Sequence, residues 1–257
     1  MFTFRLASAN IPKDIQTFKR GIDMNKTDNN IRISLIFGFV SLLLCGVGDW
    51  LIGYDPAGGE PILFGISSTS ITEVPTWFYA LSLVFGILSG FGCYYFAPAM
   101  VKILEDRGIP SDSKMFKTFR FGLTSAPMMF VSFHAACCIS LMIVQASLRA
   151  GMDAASAEDV FLFPLIASLV PFLIWCFICD IPVTVSYMYL VLKGKLRISR
   201  AAFVLCPLGL SIVAKILGAV LVAIGSKYAF MTACGESWGY AFMCLAFLAA
   251  HKKGIRS

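Results

Sequence analysis

The segment 160–192 limits the fold of this chain more than any other stretch. It reads VFLFPLIASLVPFLIWCFICDIPVTVSYMYLVL, and Asp180 is its one Asp, Glu, Lys, Arg or His residue. Because about 20 apolar residues cross a bilayer core, a run of this length predicts a transmembrane helix that tilts or bends. Pro164, Pro171 and Pro182 each lack the N–H that continues a helix, so they predict a long, proline-kinked span.

The rest of the chain has the same apolar character. Its composition is 58% hydrophobic and 14% charged, whereas about 25% of the residues of a soluble domain are charged. We therefore predict an all-α fold, a polytopic membrane bundle of six transmembrane helices that forms one domain over residues 31–251. The six predicted spans are 31–53, 76–104, 120–148, 160–192, 201–225 and 230–250.

The positive charges predict the orientation of these spans. Of the 21 Lys and Arg residues, 18 lie in segments 1–32, 102–120, 193–200 and 252–256. Since basic residues concentrate on the cytoplasmic side, both termini are predicted to be cytoplasmic, in a multi-pass protein of the plasma membrane. The excess of basic residues is thus explained by the topology of the spans, and we predict no nucleic-acid partner.

The two ends of the chain are predicted to be polar tails. Residues 1–30 form a cytoplasmic N-terminal tail, and residues 252–257 form a basic cytoplasmic tail. Met24 offers a second start, which would make residues 1–23 an extension.

Five ionisable residues are predicted to lie at membrane depth, each on a different span. They fall between the bilayer centre and the outer surface, and they are Asp49, His134, Asp180, Lys215 and Glu236. Ionisable groups are costly in hydrocarbon, so these side chains are expected to face the bundle interior.

This convergence predicts a binding pocket inside the bundle, open to the extracytoplasmic side. Its ligand would be a small amphipathic or lipid-like molecule, and the protein would be receptor-like or a component of transport. The five ionisable residues would make the polar contacts. The apolar walls would come from Trp50, Trp175, Tyr187 and Trp238.

Two other interpretations stay open at this stage. An intramembrane enzyme acting on a lipid would use His134 as general acid or base, oriented by Asp180 or Asp49, with Lys215 stabilising an oxyanion. A purely structural protein would instead pair Lys215 with Asp180 or Asp49 to hold its helices in register. Whether the protein is an enzyme is not decided by these residues.

A stripe of small residues on the second span predicts close helix packing. Ser82, Gly86 and Gly90 recur every four residues and therefore lie on one helix face. This face could bind a partner membrane protein.

No metal or cofactor is predicted from the spacing of ligand residues. The two histidines, His134 and His251, lie far apart in the chain, and the adjacent Cys137 and Cys138 complete no ligand set.

Four short motifs resemble a family of uncharacterised bacterial polytopic membrane proteins. The likeness covers about residues 31–250, and this chain departs from the pattern at Cys206, where Asn is usual, and at Glu236. The resemblance implies that Asp49 and His134 share a site, and it implies no known activity. The motifs are Gly48-Asp49-Trp50-Leu51, His134-Ala135, Cys206-Pro207 after Ile198-Ser199-Arg200, and Gly235-Glu236-Ser237-Trp238-Gly239.

Overall fold

The structure is a computed structural model that describes residues 13–56, 59–62, 67–226 and 228–255. Helices make up most of these ranges and pack into one bundle, which confirms the predicted fold class. The helices are α1 Lys13–Gly53, α2 Trp77–Asp106, α3 Lys114–Arg149, α4 Ala154–Trp175, α5 Ile181–Leu192, α6 Pro207–Ala223 and α7 Gly235–Ile255.

Within the described residues, five stretches of helix are long and apolar enough to cross a membrane, so the chain is a multi-pass membrane protein. They are Lys26–Gly53, Trp77–Asp106, Lys114–Arg149, Ile166–Leu192 and Phe230–Lys252.

The fifth predicted span, 201–225, is shorter in the structure. A 3₁₀ turn, Arg200–Val204, occupies its beginning, and α6 starts only at Pro207 and has 17 residues. Proline is favoured in the first turn of a helix, where the missing N–H has no partner to lose. The last span begins near Phe230, as predicted. Its first residues form a 3₁₀ turn that leads into α7.

The first helix extends well into the predicted polar tail. α1 begins at Lys13, so the described part of this tail is helical and continuous with the span. Residues 1–12, part of the predicted extension, lie outside the described residues. An ion pair between Asp28, in the first half of α1, and His251 joins α1 to the last turns of α7.

The fourth span is one long helical segment interrupted by a π-helical turn, Cys176–Asp180, between α4 and α5. Its Ile181 N–H donates to the carbonyl of Cys176, five residues earlier. Pro182 follows directly, and its ring has no N–H and crowds the preceding turn. A wider turn relieves that crowding. The interruption thus lies just before Pro182, the last of the three prolines, and Asp180 is the last residue of the π turn.

The helices pack around α1, α2, α3 and α7. α1 lies along α2 and α7, α2 lies along α3, α4 and α5 cover α3, and α6 lies against α7. α1 approaches α2 so closely that a Cβ on Gly92 would overlap the side chain of Ser41. The main core contains Leu42, Phe96, Met100, Phe119, Leu123, Val183, Tyr187 and Phe247.

A small structured loop joins α1 to α2. Strands β1 Pro61–Ile62 and β2 Ser67–Ser68 pair antiparallel, and a 3₁₀ turn, Thr69–Glu73, follows. Asp55 accepts hydrogen bonds from the hydroxyls of Ser68 (2.9 Å) and Ser70 (2.8 Å). The α1–α2 loop is therefore held to the end of α1.

The last turns of α3 hold the other end of this loop. Gln145 Nε2 donates to the carbonyls of Ile71 (2.8 Å) and Val74 (2.6 Å), and Gln145 Oε1 accepts from the Thr76 hydroxyl (2.6 Å). Arg149 donates to the same Val74 carbonyl at 2.9 Å. Gln145 is 1% exposed, so these bonds are shielded from water.

Replacing Gln145 by leucine is expected to release the α1–α2 loop. The change removes one of two donors from each of two buried carbonyls and the acceptor of the Thr76 hydroxyl, and each lost hydrogen bond costs about 0.5–1.5 kcal/mol. We expect faster protease cleavage within the loop and a lower unfolding midpoint in mild detergent. Ser132→Ala is the control, because its hydroxyl bonds only to carbonyls of its own helix. Equal cleavage of the two variants would contradict this role for Gln145.

Candidate functional site

A cavity of about 330 Å³ lies between α1, α3, α4 and the beginning of α7, on the side of the α1–α2 loop. One part of its wall is polar and another is aromatic or aliphatic. The polar residues are Asp49, Ser67, His134, Cys137, Glu236 and Ser237, and the larger apolar ones are Ile52, Phe130, Phe133, Leu141 and Phe172.

The structure brings three of the predicted site residues together in this wall: Asp49, His134 and Glu236. Asp49 lies one turn before the end of α1, His134 near the middle of α3, and Glu236 in the first turn of α7. Asp49 Oδ1 is 3.6 Å from His134 Nδ1. The pairing of Asp49 with His134, one of the two alternatives at the sequence level, is thus the one present here.

The hydrogen-bond network around His134 assigns its tautomer. Ser82 Oγ donates to the carbonyl of Gly48 at 2.9 Å, so it accepts from His134 Nε2, which is 2.8 Å away. Nε2 also lies 3.0 Å from the Ser82 carbonyl, which can only accept. Nε2 therefore carries a proton, and in the neutral ring Nδ1 presents a lone pair. That lone pair points to Asp49 and to Cys45 Sγ, which is 4.0 Å away.

Asp49 is oriented from α7. Ser237 Oγ donates to Asp49 Oδ2 at 2.7 Å and also lies 3.6 Å from Cys45 Sγ. The other carboxylate oxygen, Oδ1, is thereby directed toward His134. Two serines on separate helices therefore orient His134 and Asp49.

Glu236 adds a second carboxylate to the same wall. Its Oε1 atom is buried and has no hydrogen-bond partner among the described residues. The carboxylates of Asp180 and Asp49 are near enough to repel its negative charge. The first turn of a helix favours a negative side chain, because unpaired backbone N–H groups point outward there.

Asp180 and Lys215 lie apart from each other and outside the cavity wall. Asp180 is buried, and its Oδ1 accepts from the Tyr240 hydroxyl at 2.5 Å. Lys215 is exposed on α6 and makes no ion pair with Asp180. The suggested structural pair is therefore absent between these two described residues.

The predicted aromatic wall residues also lie outside the cavity lining. Trp175 Nε1 donates to Ser125 Oγ at 2.7 Å, and Tyr187 donates to the Ala202 carbonyl at 2.9 Å. Trp50 and Trp238 pack edge to face, with ring centroids 5.0 Å apart. Their indoles donate to the carbonyls of Met231 and Leu43 respectively. These aromatic side chains connect helices and leave the wall to Phe130, Phe133 and Phe172.

The small-residue stripe on α2 is covered within the chain. Ser82, Gly86 and Gly90 are buried. A Cβ on Gly86 would overlap the His134 ring, and one on Gly90 would overlap Val131. The predicted packing face thus receives α3, and it positions His134.

Cys45 is the site residue that the sequence did not single out. Its Sγ, an oxygen of Asp49 and a ring nitrogen of His134 all lie within 4.8 Å of one another. The i, i+4 spacing of Cys45 and Asp49 places both on one face of α1. The prediction of no metal site was based on the spacing of ligand residues along the chain. That spacing could not show that His134 of α3 lies next to Cys45 and Asp49 of α1.

Comparison with known proteins identifies a family and gives no activity. No curated protein and no solved structure matches the chain. Residues 24–254 match one protein family, described as a family of unknown function, DUF6796. Because the match spans most of the 257 residues, the chain belongs to the DUF6796 family.

Proposed function

We propose that this protein binds a small amphipathic or lipid-like molecule in the cavity between α1, α3, α4 and α7. It would act as a receptor-like protein or as a component of transport. The observation that supports this is the cavity itself, about 330 Å³ in volume and polar on one part of its wall only. Small-molecule sites usually range from about 300 to 1,000 Å³ and combine apolar walls with a few polar groups.

The two parts of the wall suit the two parts of such a ligand. Asp49, His134 and Glu236 offer charged or hydrogen-bonding groups to a head group. Phe133 and Phe172 stack with centroids 3.8 Å apart and an interplanar angle of 5°, and both line the cavity. An apolar tail would lie against these rings, since aromatic faces bury a large apolar area.

The charge pattern supports an opening on the extracytoplasmic side of the plasma membrane. The cavity lies beside the end of α1 and Ser67 of the α1–α2 loop. Most Lys and Arg residues lie in the tails and connections at the opposite end. Both termini are then cytoplasmic, and the ligand enters from outside the cell or from the outer leaflet.

An intramembrane enzyme is the second candidate, because His134 and Asp49 lie together in the cavity wall. His134 would exchange protons with a lipid substrate, and Asp49 would orient it. The separation of 3.6 Å between Nδ1 and Oδ1 exceeds a hydrogen bond. The geometry therefore supports binding more directly than proton transfer.

Mass spectrometry of co-purifying small molecules tests the proposal. Wild-type protein in mild detergent is expected to retain one species that is reduced about tenfold in His134→Ala, where a polar contact is lost. Ala233→Phe should reduce it as well, because Ala233 lines the cavity and phenylalanine would fill it. Asp180→Asn is the matched control, since Asp180 is buried outside the lining. Identical molecules in all four proteins would refute the pocket.

A further inference from the structure

From the geometry we infer that Cys45, Asp49 and His134 form a binding site for one divalent transition-metal ion of the zinc type, open to the cavity. Their ligand atoms lie within 4.8 Å of one another. Thiolate sulfur, imidazole nitrogen and carboxylate oxygen are the three ligand types of zinc in proteins. Soft and borderline ligands of this kind favour zinc over calcium or magnesium.

The distances are close to those of a tetrahedral site. Zinc bonds of about 2.0–2.3 Å place a nitrogen and an oxygen ligand about 3.3 Å apart, and a sulfur and a nitrogen ligand about 3.5 Å apart. Here Nδ1 of His134 is 3.6 Å from Asp49 Oδ1 and 4.0 Å from Cys45 Sγ. The two distances from Nδ1 would contract by a few tenths of an ångström, and the distance from Cys45 Sγ to the Asp49 oxygen, which is within 4.8 Å, would contract by about 1 Å at most.

The tautomer of His134 is a separate argument for a cation. Its Nε2–H bonds to Ser82, so the lone pair of Nδ1 faces a carboxylate oxygen. Two electron-pair donors that face each other need either a proton or a metal ion between them. The sulfur of Cys45, 4.0 Å from Nδ1, favours a metal ion, because a thiolate is a zinc ligand. A metal ion would satisfy all three groups, and the thiol proton would pass to solvent as the thiolate binds.

The neighbouring groups resemble the supports of a metal site. Ser82 fixes the ring of His134 through Nε2, and Ser237 fixes Asp49 through Oδ2 at 2.7 Å. Metal ligands are usually oriented by such hydrogen bonds to their outer atoms. Glu236 Oε1, buried and unpartnered in the same cavity wall, adds a carboxylate that faces no donor among the described residues.

A three-ligand site leaves one position of the metal free. His134 and Asp49 both line the cavity, so that position would face it. Structural zinc sites are closed by four protein ligands, whereas open sites bind water or a substrate. The metal would therefore hold an oxygen-donor head group. Only this last step depends on the proposed function. Without a metal ion, the carboxylates of Asp49 and Glu236 would favour a cationic head group instead.

Cobalt titration tests the site, using the full-length protein in mild detergent after chelator treatment. We expect one equivalent of Co²⁺ to bind, to give a thiolate-to-cobalt charge-transfer absorption, and to be displaced by Zn²⁺. Cys45→Ser should remove the absorption, and Asp49→Asn should weaken binding at least tenfold. Ser82→Ala should weaken it by about 10–100-fold, as the loss of an outer hydrogen bond does in other metal sites.

Two variants with matched chemistry serve as controls. Cys93→Ser changes another fully buried cysteine, and Asp180→Asn changes another buried carboxylate outside the cluster. Both should retain the absorption and the affinity. The wild-type spectrum reports thiolate ligation by itself, so a misfolded Cys45 variant would not remove the test. No absorption in wild type, or an unchanged one in Cys45→Ser, would overturn the inference.

The same preparations separate this inference from the proposed pocket. Metal-free protein that retains the co-purifying molecule and binds no Co²⁺ would refute the metal site alone. Protein that binds one Co²⁺ while wild type and cavity variants carry identical molecules would refute the ligand pocket and support the metal site.

Discussion

Replacing Gly86 by alanine is expected to lower the stability of the bundle by about 1–3 kcal/mol and to displace His134 from the cavity wall. A Cβ at this position would lie 2.7 Å from His134 Cγ and would overlap Cδ2. Overpacking of a tight interior forces side chains off their preferred rotamers, at a cost of this size. The ring cannot move far without losing its hydrogen bonds to Ser82, which fix its tautomer. Thermal unfolding and ligand retention would measure the two effects.

Gly90→Ala is the matched control, one turn along the same face of α2. Its Cβ would overlap Val131 and would lie 3.3 Å from the Pro127 carbonyl, away from His134. Both variants should lose stability, and only Gly86→Ala should lose the bound molecule. Adding His134→Ala should restore much of the stability of Gly86→Ala, because truncating the ring makes room for the Cβ. Full additivity of these two changes would contradict the packing argument.

The helices of this protein follow from its sequence because membranes leave few alternatives. Backbone groups in hydrocarbon must pair within the segment, so each long apolar run forms a helix. The proline-rich fourth span likewise had to depart from a regular helix. Each of its three prolines could have disturbed the helix, and the π turn of this span, Cys176–Asp180, lies before Pro182. The positions of the prolines alone could not show which proline the π turn would precede.

The site could be predicted only as far as the depth of a side chain in the membrane determines which other side chains it contacts. Asp49 and Glu236 lie near helix ends on the same side of the bundle as the α1–α2 loop, and they do meet His134 in one cavity. The rotation of each helix about its axis is not specified by depth. α6 packs mainly against α7, and its Ser211 backbone lies against Gly235 of α7. Lys215 lies about 40° farther around α6 than Ser211. That rotation is enough to leave the Lys215 side chain exposed.

The aromatic residues show a related limit. Trp and Tyr carry polar atoms that need partners, so they bond to carbonyls and hydroxyls between helices, as Trp175 and Tyr187 do. Phenylalanine has no such requirement and can line a cavity. The i, i+3, i+7 spacing of His134, Cys137 and Leu141 could have indicated the wall on α3. The spacing of Cys45 to Asp49 places both on one face of α1, but it does not show that this face meets His134.

Replacing Tyr240 by phenylalanine is expected to destabilise the protein by about 1.5–3 kcal/mol. Its hydroxyl is buried and donates to Asp180 Oδ1 at 2.5 Å, and hydrogen bonds to charged groups are worth about this much. Asp180→Leu should cost a similar amount, because it leaves the Tyr240 hydroxyl buried without an acceptor. Combining Asp180→Leu with Tyr240→Phe should recover much of the loss. Unfolding in mixed micelles would give the coupling energy of this double-mutant cycle.

A second cycle with Lys215→Leu separates this pair from the ion pair suggested by the sequence. Lys215 is exposed and unpaired with Asp180, so Lys215→Leu and Asp180→Leu should add within about 0.5 kcal/mol. Coupling to Tyr240 and additivity with Lys215 would mean that a neutral hydroxyl satisfies the buried carboxyl group. The opposite result would mean that α6 turns its lysine inward in the bilayer. Asp180 would then hold α6 against α5 and α7, and the exposed position of Lys215 would be wrong.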